Sequence, residues 1–97
     1  MSEEYYWVYI LHCENGAYYT GYTDNLIRRY HMHKTGKASK YTRSFKPIGV
    51  AQCWQILGTK GLAMQIESFI KRLSKQKKIQ VILNPELLIK LFGEYHS

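Results

Sequence analysis

Tyr9, Tyr19, Arg29 and His33 bring phenol, guanidinium and imidazole groups into one stretch of chain. A hydrocarbon core has little use for that set, because each group needs a polar partner once buried. Cutting a phosphodiester does need it: a proton acceptor, and a fixed cation for the charge that grows on the phosphate oxygens. Val8-Tyr9-Ile10 and Tyr19-Thr20-Gly21 flank Glu14-Asn15-Gly16, so a tight turn would set the two phenols on facing strands. A phenol of pKa about 10 removes a proton from water poorly unless cations stabilise the phenolate. Arg29 offers such a cation as a planar, permanently charged fork. His33, one helical turn further, can relay a proton or bind phosphate, whereas Arg28 and His31 are expected to project elsewhere.

Glu67 is the sole carboxylate between Asp24 and Glu86, and so the one side chain in the middle of the chain suited to a hard metal ion. One carboxylate suffices for Mg²⁺, or for Mn²⁺ in its place, because the ion keeps several waters and takes phosphate oxygens as further ligands. The competing structural role is an ion pair with Lys71, four residues on.

These residues must be positioned by an α+β frame. Tyr6 to Cys13 and Ala17 to Thr23 are rich in aromatic and β-branched residues and read as a hairpin, with left-handed positions supplied by Asn15-Gly16. Asp24 or Asn25 caps a helix from about Leu26 to Thr35, stopped by Gly36, with Arg29 and His33 on one face. Lys37 to Pro47 reads as a basic surface loop and Gly49 to Leu57 as a third strand. An amphipathic helix follows from Lys60 to about Leu73, with Leu62, Ile66, Phe69, Ile70 and Leu73 as its stripe and Glu67 beside it. Lys75 to Leu83 and Pro85 to Phe92 complete the chain as short helices. The expectation is one domain: a small three-stranded antiparallel sheet flanked by helices, with a core over about 5–84 and a helical extension over about 85–93.

Fourteen Lys and Arg stand against seven Asp and Glu, a formal charge of +7. Seven of the cations lie between Arg28 and Lys46 with no acid among them, interleaved with Tyr30, Tyr41 and Phe45, which suits a polyanion. Lys37, Lys40 and Arg43 with Tyr41 are the expected nucleic-acid contacts, and Lys71 with Arg72 and Lys75 offers a second path. Cys13 and Cys53 lack metal-ligand spacing and are expected to be free in strands. The acidic start Met1-Ser2-Glu3-Glu4 and the lack of a long apolar run argue against a leader or a membrane span, so a cytoplasmic protein is expected; the sequence leaves its oligomeric state open, with a monomer favoured.

Trp7-Val8-Tyr9, Tyr19-Thr20-Gly21, Arg29 eight residues after Gly21, His33 and Glu67 form an ordered series that resembles the GIY-YIG nuclease domain. Gly36 to Arg43 resembles the basic loop of its small stand-alone bacterial members. Trp7, Val8 and Thr20 depart from the name motifs at strand positions. The resemblance implies a metal-dependent DNA endonuclease, with structure-specific cutting in repair or recombination as one setting. It implies one of Tyr9 and Tyr19 as general base, directly or through water, Arg29 on the transition state, Glu67 on the ion, and Gly21 and Asn84 in support; of the two phenols we take Tyr9 as the base and Tyr19 as the phosphate contact. A non-catalytic nucleic-acid-binding module is the alternative, and a recruiting protein is a partner that so small a domain could use.

Overall fold

The computed structural model describes residues 4–96; Met1 to Glu3, hence most of the acidic start, and Ser97 lie outside the described residues. Strands β1 (Tyr5–Cys13) and β2 (Tyr18–Thr23) form the expected hairpin. Its turn differs in detail: Gly16 alone takes a left-handed conformation, at φ 82°, while Asn15 stays at negative φ and its side chain accepts the Ala17 N–H at 3.2 Å. Cys13 closes the loop twice, donating its N–H to Ala17 O and accepting from Gly16 N–H, both at 2.9 Å.

Helix α1 (Leu26–Lys34) begins where the Asn25 side chain accepts the Arg28 N–H at 3.0 Å and ends at left-handed Gly36. The basic segment expected as loop contains a short helix, α2 (Lys40–Ser44). Ser39 makes it, because its hydroxyl accepts the Thr42 N–H at 3.1 Å and caps a turn that composition alone disguises. Strand β3 (Pro47–Leu57) begins two residues before the expected Gly49. Helices α3 (Lys60–Arg72) and α4 (Lys75–Leu83) start at the caps Thr59 and Ser74, and α5 (Glu86–His96) continues beyond Phe92.

The sheet order is β2-β1-β3, antiparallel throughout, so β1 is covered on both edges and its alternation decides both faces. Val8 and Ile10 join Trp54, Ala63, Ile66, Ile70, Val81 and Leu88 in an apolar core built with α3, α4 and α5. Two side-chain bonds pin the α4–α5 junction to β3: Trp54 Nε1 donates to Pro85 O at 2.9 Å and Gln52 Nε2 to Ile82 O at 3.0 Å. The C-terminal segment thus contributes to the core through Leu88, which is 2% exposed. Tyr9, Leu11 and Cys13 point the other way, toward α1 and a smaller cluster with Tyr19, Leu26 and Tyr30. Both cysteines are free, Cys13 buried and Cys53 half-buried.

Candidate active site

A polar cleft of about 440 Å³ opens beside β2. Tyr6 and Tyr22 line it from the face that packs on α3, Tyr9 and Tyr19 from the face that packs on α1. Arg28 and Arg29 enter from α1, Lys60 and Glu67 from α3. Three consecutive elements and the distant α3 therefore bring phenol, guanidinium, ammonium and carboxylate to one cleft.

Tyr9 is 2% exposed, and its hydroxyl meets His33 Nε2 at 2.8 Å. Burial first, then the neighbouring Tyr19 hydroxyl and Glu67, hold its pKa far above the ordinary phenol range, against the opposing pull of Arg29. Room for the ring is made by Gly21, its partner across the β1–β2 pairing: a Cβ there would overlap the Tyr9 hydroxyl and lie 2.7 Å from its Cζ. Glycine is required at this position for space rather than for backbone freedom.

His33 does not reach the cleft. It is buried behind Tyr9, edge-on to the Tyr9 and Tyr19 rings at centroid distances of 5.7 and 5.0 Å, with Nδ1 2.7 Å from Thr42 Oγ1. Burial, and secondarily Arg29, lower its pKa to about 4, so it is neutral near pH 7. Of the two roles the sequence allowed, phosphate binding is closed to it and only proton relay through Tyr9 remains geometrically open.

Arg29 is half-buried, and its Nε has no hydrogen-bond partner. That donor is itself enclosed by protein, so what Arg29 presents to the cleft is the remainder of its side chain. Glu67 faces the same space with a side chain 19% exposed, 3.6 Å from Lys71 Nζ, so the ion pair foreseen from the sequence exists. Asp24, the other acid of the cleft, pairs with Arg28 at 3.5 Å in solvent. Among the described residues no three His, Cys, Asp or Glu side chains gather into a metal-holding group. The donor set therefore fits an ion that keeps most of its waters, as Mg²⁺ does, and does not fit a closed cage.

Residues 5–80 match the family model described as the GIY-YIG catalytic domain. The chain belongs to the GIY-YIG family. A UPF0213 protein of Oceanobacillus iheyensis is 45% identical over 82 residues, covering 84% of this chain and 93% of its own. One from Fusobacterium nucleatum is 35% identical over 85 residues, covering 88% and 84%. The solution NMR structure of a UPF0213 protein from Bacillus halodurans is 40% identical, covers 81% of this chain and 83% of its own, and superposes with a TM-score of 0.52. The three-stranded sheet with flanking helices is thus the GIY-YIG fold, and the family is one of nucleases.

Around the GIY-YIG cleft the remaining expected residues divide. Tyr41 stacks on Tyr19 at 6.0 Å with its hydroxyl held by Asn15 Nδ2 at 2.9 Å, and with Lys71 it lines a second, shallower cavity of about 260 Å³ that shares Tyr19 with the first. Lys37, Lys40 and Arg43 are exposed but line neither cavity. Asn84 is exposed at the C-terminus of α4, outside both. Several contributors were missed, Tyr6, Tyr22 and Asp24 of the cleft lining among them. Arg28, expected to point away, lines the cleft mouth. Lys60 lies seven residues before Glu67 on α3, a same-face spacing that was there to be read. Thr42, fully buried under His33, was hidden in the segment read as loop.

Proposed function

We propose that the protein is a metal-dependent endonuclease that hydrolyses DNA phosphodiester bonds in this cleft. The observation that carries it is the convergence of Tyr9, Tyr19, Arg29 and Glu67 on one cleft. Arg29 would hold the scissile phosphate by its fork, with Tyr19 as a second donor. Tyr9 would take the proton of the attacking water. Its phenolate is disfavoured, so the step requires its own proton to leave toward His33 Nε2 as the new one arrives. Glu67 would hold the ion, Mg²⁺ or Mn²⁺, which when bound supplies Lewis-acid charge at the phosphate and the leaving oxygen. Flapped, nicked and branched DNA, the intermediates of repair and recombination, are the substrates to offer. Incubating the full chain with these and with linear duplex, with Mg²⁺, Mn²⁺ or chelator, should give metal-dependent cuts. Binding without cleavage on every substrate would contradict this function and return the non-catalytic module.

A further inference from the structure

We infer that Thr42 and Ser39 form a proton exit behind the candidate active site, with Thr42 accepting from His33 Nδ1 in the resting row so that Nε2 is open to Tyr9. Its use in catalysis rests on the nuclease reading; its geometry does not. Four groups stand in an unbroken row: Tyr9 Oη to His33 Nε2 at 2.8 Å, His33 Nδ1 to Thr42 Oγ1 at 2.7 Å, and Thr42 Oγ1 to Ser39 Oγ at 2.8 Å. Tyr9, His33 and Thr42 are 2%, 1% and 0% exposed, whereas Ser39, the cap of α2, is half-buried. Ser39 is the most exposed of the four and lies at the end of the row away from the cleft.

A hydroxyl carries one proton and neutral imidazole one N–H, so the row admits two consistent directions. In the outward one, Tyr9 donates to Nε2, Nδ1–H to Thr42, Thr42 to Ser39, and Ser39 to solvent. In the inward one, Ser39 donates to Thr42, Thr42 to Nδ1, and Nε2–H to Tyr9, whose own proton faces the cleft. Passage from the first to the second moves one proton along each bond. Water gives a proton to Tyr9 as its oxygen bonds phosphorus, Tyr9 gives one to Nε2, Nδ1 one to Thr42, Thr42 one to Ser39, and Ser39 one to solvent. All four protein groups are neutral before and after, and the reverse run resets the row.

That neutrality is the reason for the device. A phenolate at Tyr9 is disfavoured by burial, and an imidazolium at His33 by burial and by Arg29. A relay ending at His33 would have to create one of these buried ions, whereas a relay with an exit creates neither. Thr42 and Ser39 are positioning residues: they touch no substrate and act through His33.

The test is the tautomer of His33, read by long-range ¹H–¹⁵N correlation of the imidazole in the full chain at neutral pH without DNA. The wild type should show protonated Nδ1 and bare Nε2. Thr42→Val, close to isosteric, removes the acceptor for Nδ1–H and should swap the tautomer, while Thr42→Ser should restore it. Should Thr42→Val fail to fold, Ser39→Ala serves, because Thr42 then turns its proton to Nδ1 and the same swap is expected. In cleavage assays Thr42→Val should lower kcat 10- to 100-fold at unchanged KM, within the range of assisted proton transfer. A wild-type Nε2–H tautomer, or a tautomer indifferent to both variants, would overturn the inference. Absence of cleavage in the wild type would count against the nuclease function alone, since the tautomer is measured without substrate.

Discussion

The two faces of β1 share a backbone and differ in everything built on them. Val8 and Ile10 sit in the apolar core, so that side answers to volume and burial. Tyr9, one residue between them, meets His33 and the cleft, with Thr42 behind His33, and that side answers to hydrogen bonds and charge. The first face stabilises the domain. The second sets a polar row beside the apolar Leu11 and Cys13, and an unmade bond in that row costs as much as a lost methylene or more. Placing both on one central strand lets the apolar side hold the polar side still.

The sharpest way to break the comparison is a matched pair. Tyr9→Phe should abolish cleavage while the fold survives, losing about 1–3 kcal/mol because His33 Nε2 is left without a partner. Ile70→Val on the other face should cost a similar ~0.5–1.5 kcal/mol with cleavage unchanged. Thermal melts and single-turnover assays on both would decide it, and lost activity in Ile70→Val would erase the distinction. Arg29→Lys comes next. It keeps the charge but not the fork, so cleavage should fall by about two orders of magnitude, with Arg28→Lys as a milder control. Equal losses would mean that α1 is only a basic surface.

A smaller effect concerns pH. The folded pKa of His33 is depressed to about 4, so between the unfolded value near 6.5 and that point the unfolded chain binds the extra proton. Stability is therefore full above about pH 6.5 and falls as pH drops toward 4, by an amount on the order of 3 kcal/mol. Denaturant midpoints from pH 7.5 to 4.5 should show this slope in the wild type and a weaker one in His33→Gln. The gentlest prediction is for Lys37, Lys40 and Arg43 replaced together by alanine. DNA affinity should fall for all sequences, and the log-log salt slope should lose about two units, near 0.7–0.9 per contact. An unchanged slope would move the DNA path to Lys71 and its neighbours, where Tyr41 and Tyr19 stack.

The apolar face was legible in advance because period and burial coincide there: the α3 stripe of Leu62, Ile66, Phe69, Ile70 and Leu73 packs on or into the core as its spacing predicts. Gly16, Gly36 and Asn25 were legible as turn and cap chemistry. The polar face was legible in its parts and not in its depth. Sequence spacing put Arg29 and His33 on one side of α1, but what covers that side is Tyr9, 24 residues from His33, together with a helix the basic composition concealed. Periodicity describes one element at a time, whereas the layer behind Tyr9 exists only once α1 and α2 close on β1. Lys60 is the exception, a same-face partner of Glu67 that spacing alone could have marked.

The central claim is that the carboxylate of Glu67 makes this cleft a metal-dependent hydrolytic site. Cleavage and binding of one DNA substrate by the wild type and Glu67→Gln, measured across a Mg²⁺ titration, test it directly. The expected result is binding within a few-fold of wild type and no cleavage at any Mg²⁺ concentration. Wild-type cleavage by Glu67→Gln at saturating Mg²⁺ would contradict it and leave Glu67 as the ion-pair partner of Lys71.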